Sequence, residues 1–145
     1  MNAYFDTSAV VKLIVAEEGS GLADELCATS ALRISSQLVY PDARAALAAA
    51  QRQGRIDHRG LRRAVGDLEQ ATAAMRLLGV DHALARQAGR LAERHALRGY
   101  DAVHLASALL IDDPELLIVT WDRELAGAAR DSGHPVAPAP MSPSG

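Results

Sequence analysis

Aromatic residues are nearly missing from this 145-residue chain: they make up 3% of it, with one Phe and one Trp. A core built on stacked rings is excluded, so the 49% of hydrophobic residues must pack largely as Ala, Leu and Val. Cysteine occurs once, at Cys27, which rules out an internal disulfide. A small buried hydrophobe in a reducing compartment explains that residue better than a catalytic thiol does. No stretch approaches the roughly 18 consecutive apolar residues of a membrane helix. The apolar N-terminus is interrupted by Asp6 and Lys12 and follows no basic region, which argues against a secretory signal and for the cytoplasm. No His- or Cys-rich ligand set is present, which disfavours zinc.

What remains is enough for one domain, expected over residues 1–137, since two cores would each be too small. The stretch 138–145 is rich in Pro and Ser and is expected to be disordered. Net charge is −3, which at first speaks against a nucleic-acid partner. Occupation of four aspartates by cations would leave −3 + 4 = +1. Of the 15 basic residues only Lys12 is lysine, and arginine is the better fork for phosphate.

Short apolar runs alternate with longer amphipathic ones, the pattern of βα repeats and an α/β fold with a parallel sheet. Strands are expected over residues 2–5, 32–35, weakly 76–80, and 116–120, with an edge strand at 134–137. Helices are expected over 9–16 with Ser8 as N-cap, then 22–29, about 36–53, 57–75, 81–94, from Asp101 to about 111, and 122–131. Pro41 either opens its helix or kinks one begun earlier.

In a parallel sheet, ligands bind beyond the carboxyl ends of the strands. Asp6 ends the first strand and Asp122 follows the fourth, while Asp42 and Asp101 lie near helix starts. Taken singly, each acid is explained by complementing a helix dipole. The combination is harder to dismiss. A like-charged pair near 4 Å costs about 4 kcal/mol at a typical effective dielectric. A hard cation such as Mg²⁺ or Mn²⁺ reverses that sign, activates water and stabilises a phosphodiester transition state.

Four segments occur in order: Tyr4-Phe5-Asp6-Thr7-Ser8-Ala9, Asp42-Ala43-Arg44-Ala45-Ala46-Leu47, Leu97-Arg98-Gly99-Tyr100-Asp101-Ala102-Val103-His104-Leu105-Ala106, and Val119-Thr120-Trp121-Asp122-Arg123-Glu124-Leu125. In these segments the chain resembles PIN-domain ribonucleases, specifically the toxins of VapBC-type toxin–antitoxin pairs, from about Ala3 to Val136. The resemblance implies a five-stranded parallel sheet flanked by helices, Mg²⁺- or Mn²⁺-dependent endoribonuclease activity, a homodimer and a small inhibitory antitoxin. It makes Asp6, Asp101 and Asp122 metal ligands and activators of the attacking water, with Thr7 and Thr120 as supporting hydroxyls near the carboxylates. The family usually has glutamate where this chain has Asp42, whose arm is shorter by roughly 1.5 Å. Mg²⁺ wants oxygens at roughly 2.1 Å, so Asp42 would act through water or from outside the ligand set, or mark a weakened enzyme.

Other residues have plainer readings. His104, three positions after Asp101, reads better as a packed, hydrogen-bonded histidine than as a ligand. Arg52, Arg55, Arg59, Arg62 and Arg63 suit RNA phosphates, a solvated helix face or an acidic antitoxin segment alike. Glu17-Glu18 read as a solvated helix end, and Trp121 as an anchor of the last strand. A binding module with a degraded site remains the rival reading, favoured by Asp42. A haloacid-dehalogenase-like phosphotransferase wants an acid where Ser8 stands, and a receiver domain wants a late lysine.

Overall fold

The computed structural model describes residues 1–140. The elements run β1 (Asn2–Phe5), α1 (Thr7–Ile14), α2 (Ser20–Thr29), β2 (Leu32–Ser36), α3 (Val39–Arg52), α4 (His58–Ala73), β3 (Arg76–Leu78), α5 (His82–His95), α6 (Gly99–Leu110), β4 (Leu117–Val119), α7 (Arg123–Asp131) and β5 (Val136–Ala137). All strand pairs are parallel, in the order β3-β2-β1-β4-β5. The α/β architecture and the five strands are those expected. From β1 the chain winds outward through β2 and β3, then returns to lay β4 on the other side of β1. The crevice between the ends of β1 and β4 is thus the topological switch point.

Both sheet faces are covered, which is why the strands are apolar at consecutive positions instead of alternating. Ala3, Phe5 and Val119 face a cluster with Ala9 and Val10 of α1, Val39, Ala43 and Leu47 of α3, and Ala64 and Leu68 of α4. Tyr4, Ile34 and Ile118 face the other way, against Leu84, Ala88 and Leu91 of α5, Ala102 and Leu105 of α6, and Leu125 of α7. Small alanines let these helices approach the sheet closely, so few rings are needed.

Aspartate starts four of the helices. Asp6, Asp57, Asp81 and Asp122 each accept the N–H three residues on, capping α1, α4, α5 and α7. Asp6, not Ser8, is therefore the N-cap of α1, and the helix begins at Thr7. The helix also stops at Ile14, so Glu17 and Glu18 lie in a loop and not at a helix end. Pro41 resolves as the third residue of α3: residue 37, four before it, precedes the helix, so the ring displaces no helical hydrogen bond. Cys27 is half-buried at the edge of the second cluster. Within the stretch expected to be disordered, Pro138, Ala139 and Pro140 lie beside Trp121, Arg123 and Arg130, and 141–145 fall outside the described residues. Among the described residues no helix is long and apolar enough to cross a membrane.

Candidate active site

A cleft of about 340 Å³ opens at the switch point, lined by Asp6, Asp42, Asp101 and Asp122 together. Four elements deliver them: the end of β1, the first turn of α3, the first turn of α6 and the residue that caps α7. Residues far apart in sequence meet because parallel strands present all their carboxyl ends at one edge.

Asp6 is 2% exposed, and its two oxygens do different work. Oδ1 accepts from the Ala9 N–H at 3.0 Å and the Ser8 hydroxyl at 2.7 Å, while Oδ2 accepts from the Thr120 hydroxyl at 2.5 Å. Burial nonetheless outweighs these donors and pushes the carboxyl up to about 6, with Asp122 adding a smaller push. Asp122 divides its oxygens likewise. Oδ1 caps α7 through the Leu125 N–H at 3.0 Å, and Oδ2 accepts from Arg98 at 2.9 Å. The cap explanation of these two acids thus accounts for one oxygen of each and leaves the second to other partners, Thr120 for Asp6 and Arg98 for Asp122.

Arg98 also reaches Asp101 Oδ2, at 3.3 Å, so one guanidinium spans both carboxylates. Partial burial and the neighbouring Asp122 raise the Asp101 carboxyl despite that contact. Asp42 is half-buried; its N–H donates to the Leu38 carbonyl at 3.1 Å, and among the described residues its carboxylate makes no hydrogen bond or ion pair.

The Thr120 hydroxyl donates to the Asp6 carboxylate, and its oxygen also accepts the Asp122 N–H at 3.0 Å. Thr7 differs. Its hydroxyl meets His104 Nε2 at 3.1 Å instead of a carboxylate, because at the first position of α1 it faces α6. His104 Nδ1 pairs with the buried Tyr4 hydroxyl at 2.8 Å, so both ring nitrogens are satisfied. Burial pushes this imidazole down to about 4, keeping it neutral near pH 7. It is a strut between β1, α1 and α6.

Three features escaped the sequence reading. Ser8 donates to Asp6 and accepts the Trp121 N–H at 2.9 Å, tying the α1 start to the end of β4. Glu17 rims the cleft, taking Lys12 at 3.1 Å and Arg55 at 3.9 Å. Arg98 precedes Asp101 by three positions, the one spacing signal that pointed to a helical ion pair. Of the arginines from 52 to 63, only Arg55 lines the cleft.

Hard divalent cations select all-oxygen donor sets, and four carboxylates in one cleft suit them in kind. Among the described residues, however, no three acidic, His or Cys side chains are grouped to hold an ion as they stand. Arg98 balances Asp101 and Asp122 instead.

Residues 3–131 match the PIN domain family. The chain is 47% identical over 140 residues to the protein named ribonuclease VapC49 of Mycobacterium tuberculosis, covering 97% of each. Its fold is similar to PAE2754 from Pyrobaculum aerophilum (TM-score 0.70, 23% identity, 94% of this chain and 83% of that one). It is also similar to a toxin–antitoxin complex chain from Klebsiella pneumoniae (TM-score 0.63, 19% identity, 87% and 92%). With β1 and β4 meeting at an acidic cleft and a family match spanning most of its length, this chain belongs to the PIN-domain family.

Proposed function

We propose that this protein is an Mg²⁺- or Mn²⁺-dependent endoribonuclease, the toxin of a toxin–antitoxin pair, acting in the cytoplasm as a homodimer and restrained by a small cognate antitoxin. The observation that carries the reading is the convergence of Asp6, Asp42, Asp101 and Asp122 on one cleft at the switch point. The 47% identity to a protein named ribonuclease VapC49 supports the substrate class and the toxin role. The likeness in fold to a chain of a toxin–antitoxin complex is in keeping with an antitoxin partner.

In this reading Asp6, Asp101 and Asp122 would hold the cation, and Asp42 would act through water or from outside the ligand set. A cation held there supplies charge stabilisation at the phosphodiester and a water of lowered pKa. The chain's own part is preorganisation. Thr120, Ser8 and the Ala9 N–H fix the Asp6 carboxylate before any substrate arrives. Lys12 and Arg55 on the rim offer positive charge to the RNA backbone.

The test is cleavage of a structured RNA by purified protein with Mg²⁺ or Mn²⁺, compared with EDTA. Cleavage that needs the ion and is lost in Asp101→Asn and Asp6→Asn supports the reading; cleavage that survives both substitutions, or that never occurs with either ion, sinks it. Asp42, one carbon short of the family's usual glutamate, favours a second reading, an RNA- or protein-binding module with a weakened site. RNA retention without cleavage, combined with poor Mn²⁺ affinity, would select it.

A further inference from the structure

Among the described residues, Arg98 is the one cation that pairs with two acids. Its Nη2 lies 2.9 Å from Asp122 Oδ2 and its Nε 3.3 Å from Asp101 Oδ2, so one fork closes over two carboxylates from different elements. Asp122 Oδ1 is spent on the α7 cap, and both Asp6 oxygens are already bonded to Ser8, Ala9 and Thr120. With Oδ1 of Asp122 on the cap, an ion that takes Asp122 as a ligand would use Oδ2, where the guanidinium now lies at 2.9 Å.

Arg98 makes no other side-chain hydrogen bond or ion pair among the described residues. Its backbone is extended at the N-cap of α6 (φ −67°, ψ 157°), its side chain makes no cap, and that side chain is 80% exposed against 16% for each aspartate. Exposed ion pairs are weak and trade readily with solvent and other ions. Both carboxylates are sheltered and Asp122 is anchored by its cap, while the arginine is the solvated member.

We propose that Arg98 is a resident counter-cation of the Asp101–Asp122 pair, and that a divalent ion enters by displacing its guanidinium. The arginine keeps two neighbouring carboxylates from repelling each other while the ion is away, and it sets the ion concentration at which the site fills. The proposal rests on the metal-site reading above and concerns this chain's own residue in that site. Displacement leaves the fork at the mouth of the cleft.

The test uses Mn²⁺ alone, without RNA, and reads free Mn²⁺ by electron paramagnetic resonance for the wild type, Arg98→Gln, Arg98→Lys and Arg55→Gln. Arg55 lines the same cleft without touching Asp101 or Asp122, so it reports the through-space effect of one positive charge. Arg98→Gln is expected to bind Mn²⁺ roughly twofold to tenfold more tightly, the range an exposed ion pair commands. Arg98→Lys, which keeps the charge but loses the two-pronged span, should fall between, and Arg55→Gln should change little. In a ¹⁵N spectrum the Arg98 Nε–H signal should move as Mg²⁺ is added. The proposal is overturned if Arg98→Gln binds Mn²⁺ no more tightly than the wild type, or if Arg55→Gln gains as much. Wild-type binding with no gain in Arg98→Gln defeats the displacement alone; absence of Mn²⁺ binding in every variant defeats the metal site itself.

Discussion

The Thr120 hydroxyl donates a 2.5 Å hydrogen bond to Asp6, across 114 positions of sequence. Sheet register makes the bond: Phe5 pairs with Val119, so the residues that follow each emerge side by side at the same edge. A slip by one residue would send one of them to the opposite face. The same hydroxyl oxygen accepts the Asp122 N–H, so Thr120 fixes two of the four cleft acids at once.

Thr120→Val should therefore cost more than its size suggests. The shape is kept, but a buried carboxylate loses a donor and the Asp122 N–H loses its acceptor. The expected loss is about 1–3 kcal/mol of stability. Cleavage should fall, and the Asp6 carboxyl should titrate higher than its present value near 6. Urea unfolding and the acid limb of a cleavage pH profile check both effects.

Two buried groups shape acid stability in opposite senses. The Asp6 carboxyl is raised from 3.8 to about 6, so the folded state holds its proton longer than the unfolded chain, and stability is lost as pH rises from about 4 through 6. The His104 imidazole is lowered from 6.5 to about 4, so its contribution is present above 6.5 and lost as pH falls toward 4. Each is worth about 3 kcal/mol at 1.36 kcal/mol per pKa unit, and over pH 4–6 they oppose each other.

In EDTA the wild type should then show a shallow dependence between pH 4 and 6.5. Asp6→Asn should gain stability over the wild type as pH rises, by up to about 3 kcal/mol near pH 7 and almost nothing at pH 4. Denaturant midpoints at pH 4, 5, 6 and 7 measure the difference. A gain that stays constant across that range would remove Asp6 as its source.

Asp42→Glu lengthens the arm by roughly 1.5 Å. If the shorter arm limits the site, Mn²⁺ affinity and cleavage should both rise, with little change in stability, because the half-buried side chain lines the open cleft and its one hydrogen bond is made by the backbone. Asp42→Ala should harm cleavage less than Asp101→Asn does. Parallel Mn²⁺ titrations and initial rates make the comparison.

Gly19 sits at φ +93°, a left-handed conformation that side chains resist, and a Cβ there would lie 2.8 Å from Trp121 Nε1. Gly19→Ala should cost about 1–3 kcal/mol. Trp121 is the only tryptophan, so its fluorescence reports the displacement directly. Since Trp121 lines the cleft and lies under Lys12, the rim should shift with it.

Much of this was legible in order and pattern. The β-rich run ending at Thr120 fixed a central strand, and Gly54, Asp81 and Pro114 marked boundaries within a few residues of where they fall. Helix starts were misread where two polar residues compete for one cap. Asp6 and Ser8 both suit an N-cap, and the longer reach of the carboxylate to the Ala9 N–H leaves Ser8 free to bridge to Trp121. The resemblance placed the Thr7 hydroxyl near a carboxylate, yet helix geometry turned it to His104.

By itself the sequence determined which residues are apolar at consecutive strand positions, where aspartates stand at element boundaries, and so that an α/β sheet would gather acids along one edge. Local periodicity and capping chemistry act over a few residues and can be read from them. Only the tertiary structure decided that Thr120 would hold Asp6, that Tyr4 and Thr7 would be the partners of the packed His104, and that Arg98 would reach Asp122 as well as Asp101. Those outcomes depend on strand register and burial, which arise from the packing of the whole chain and have no local signature.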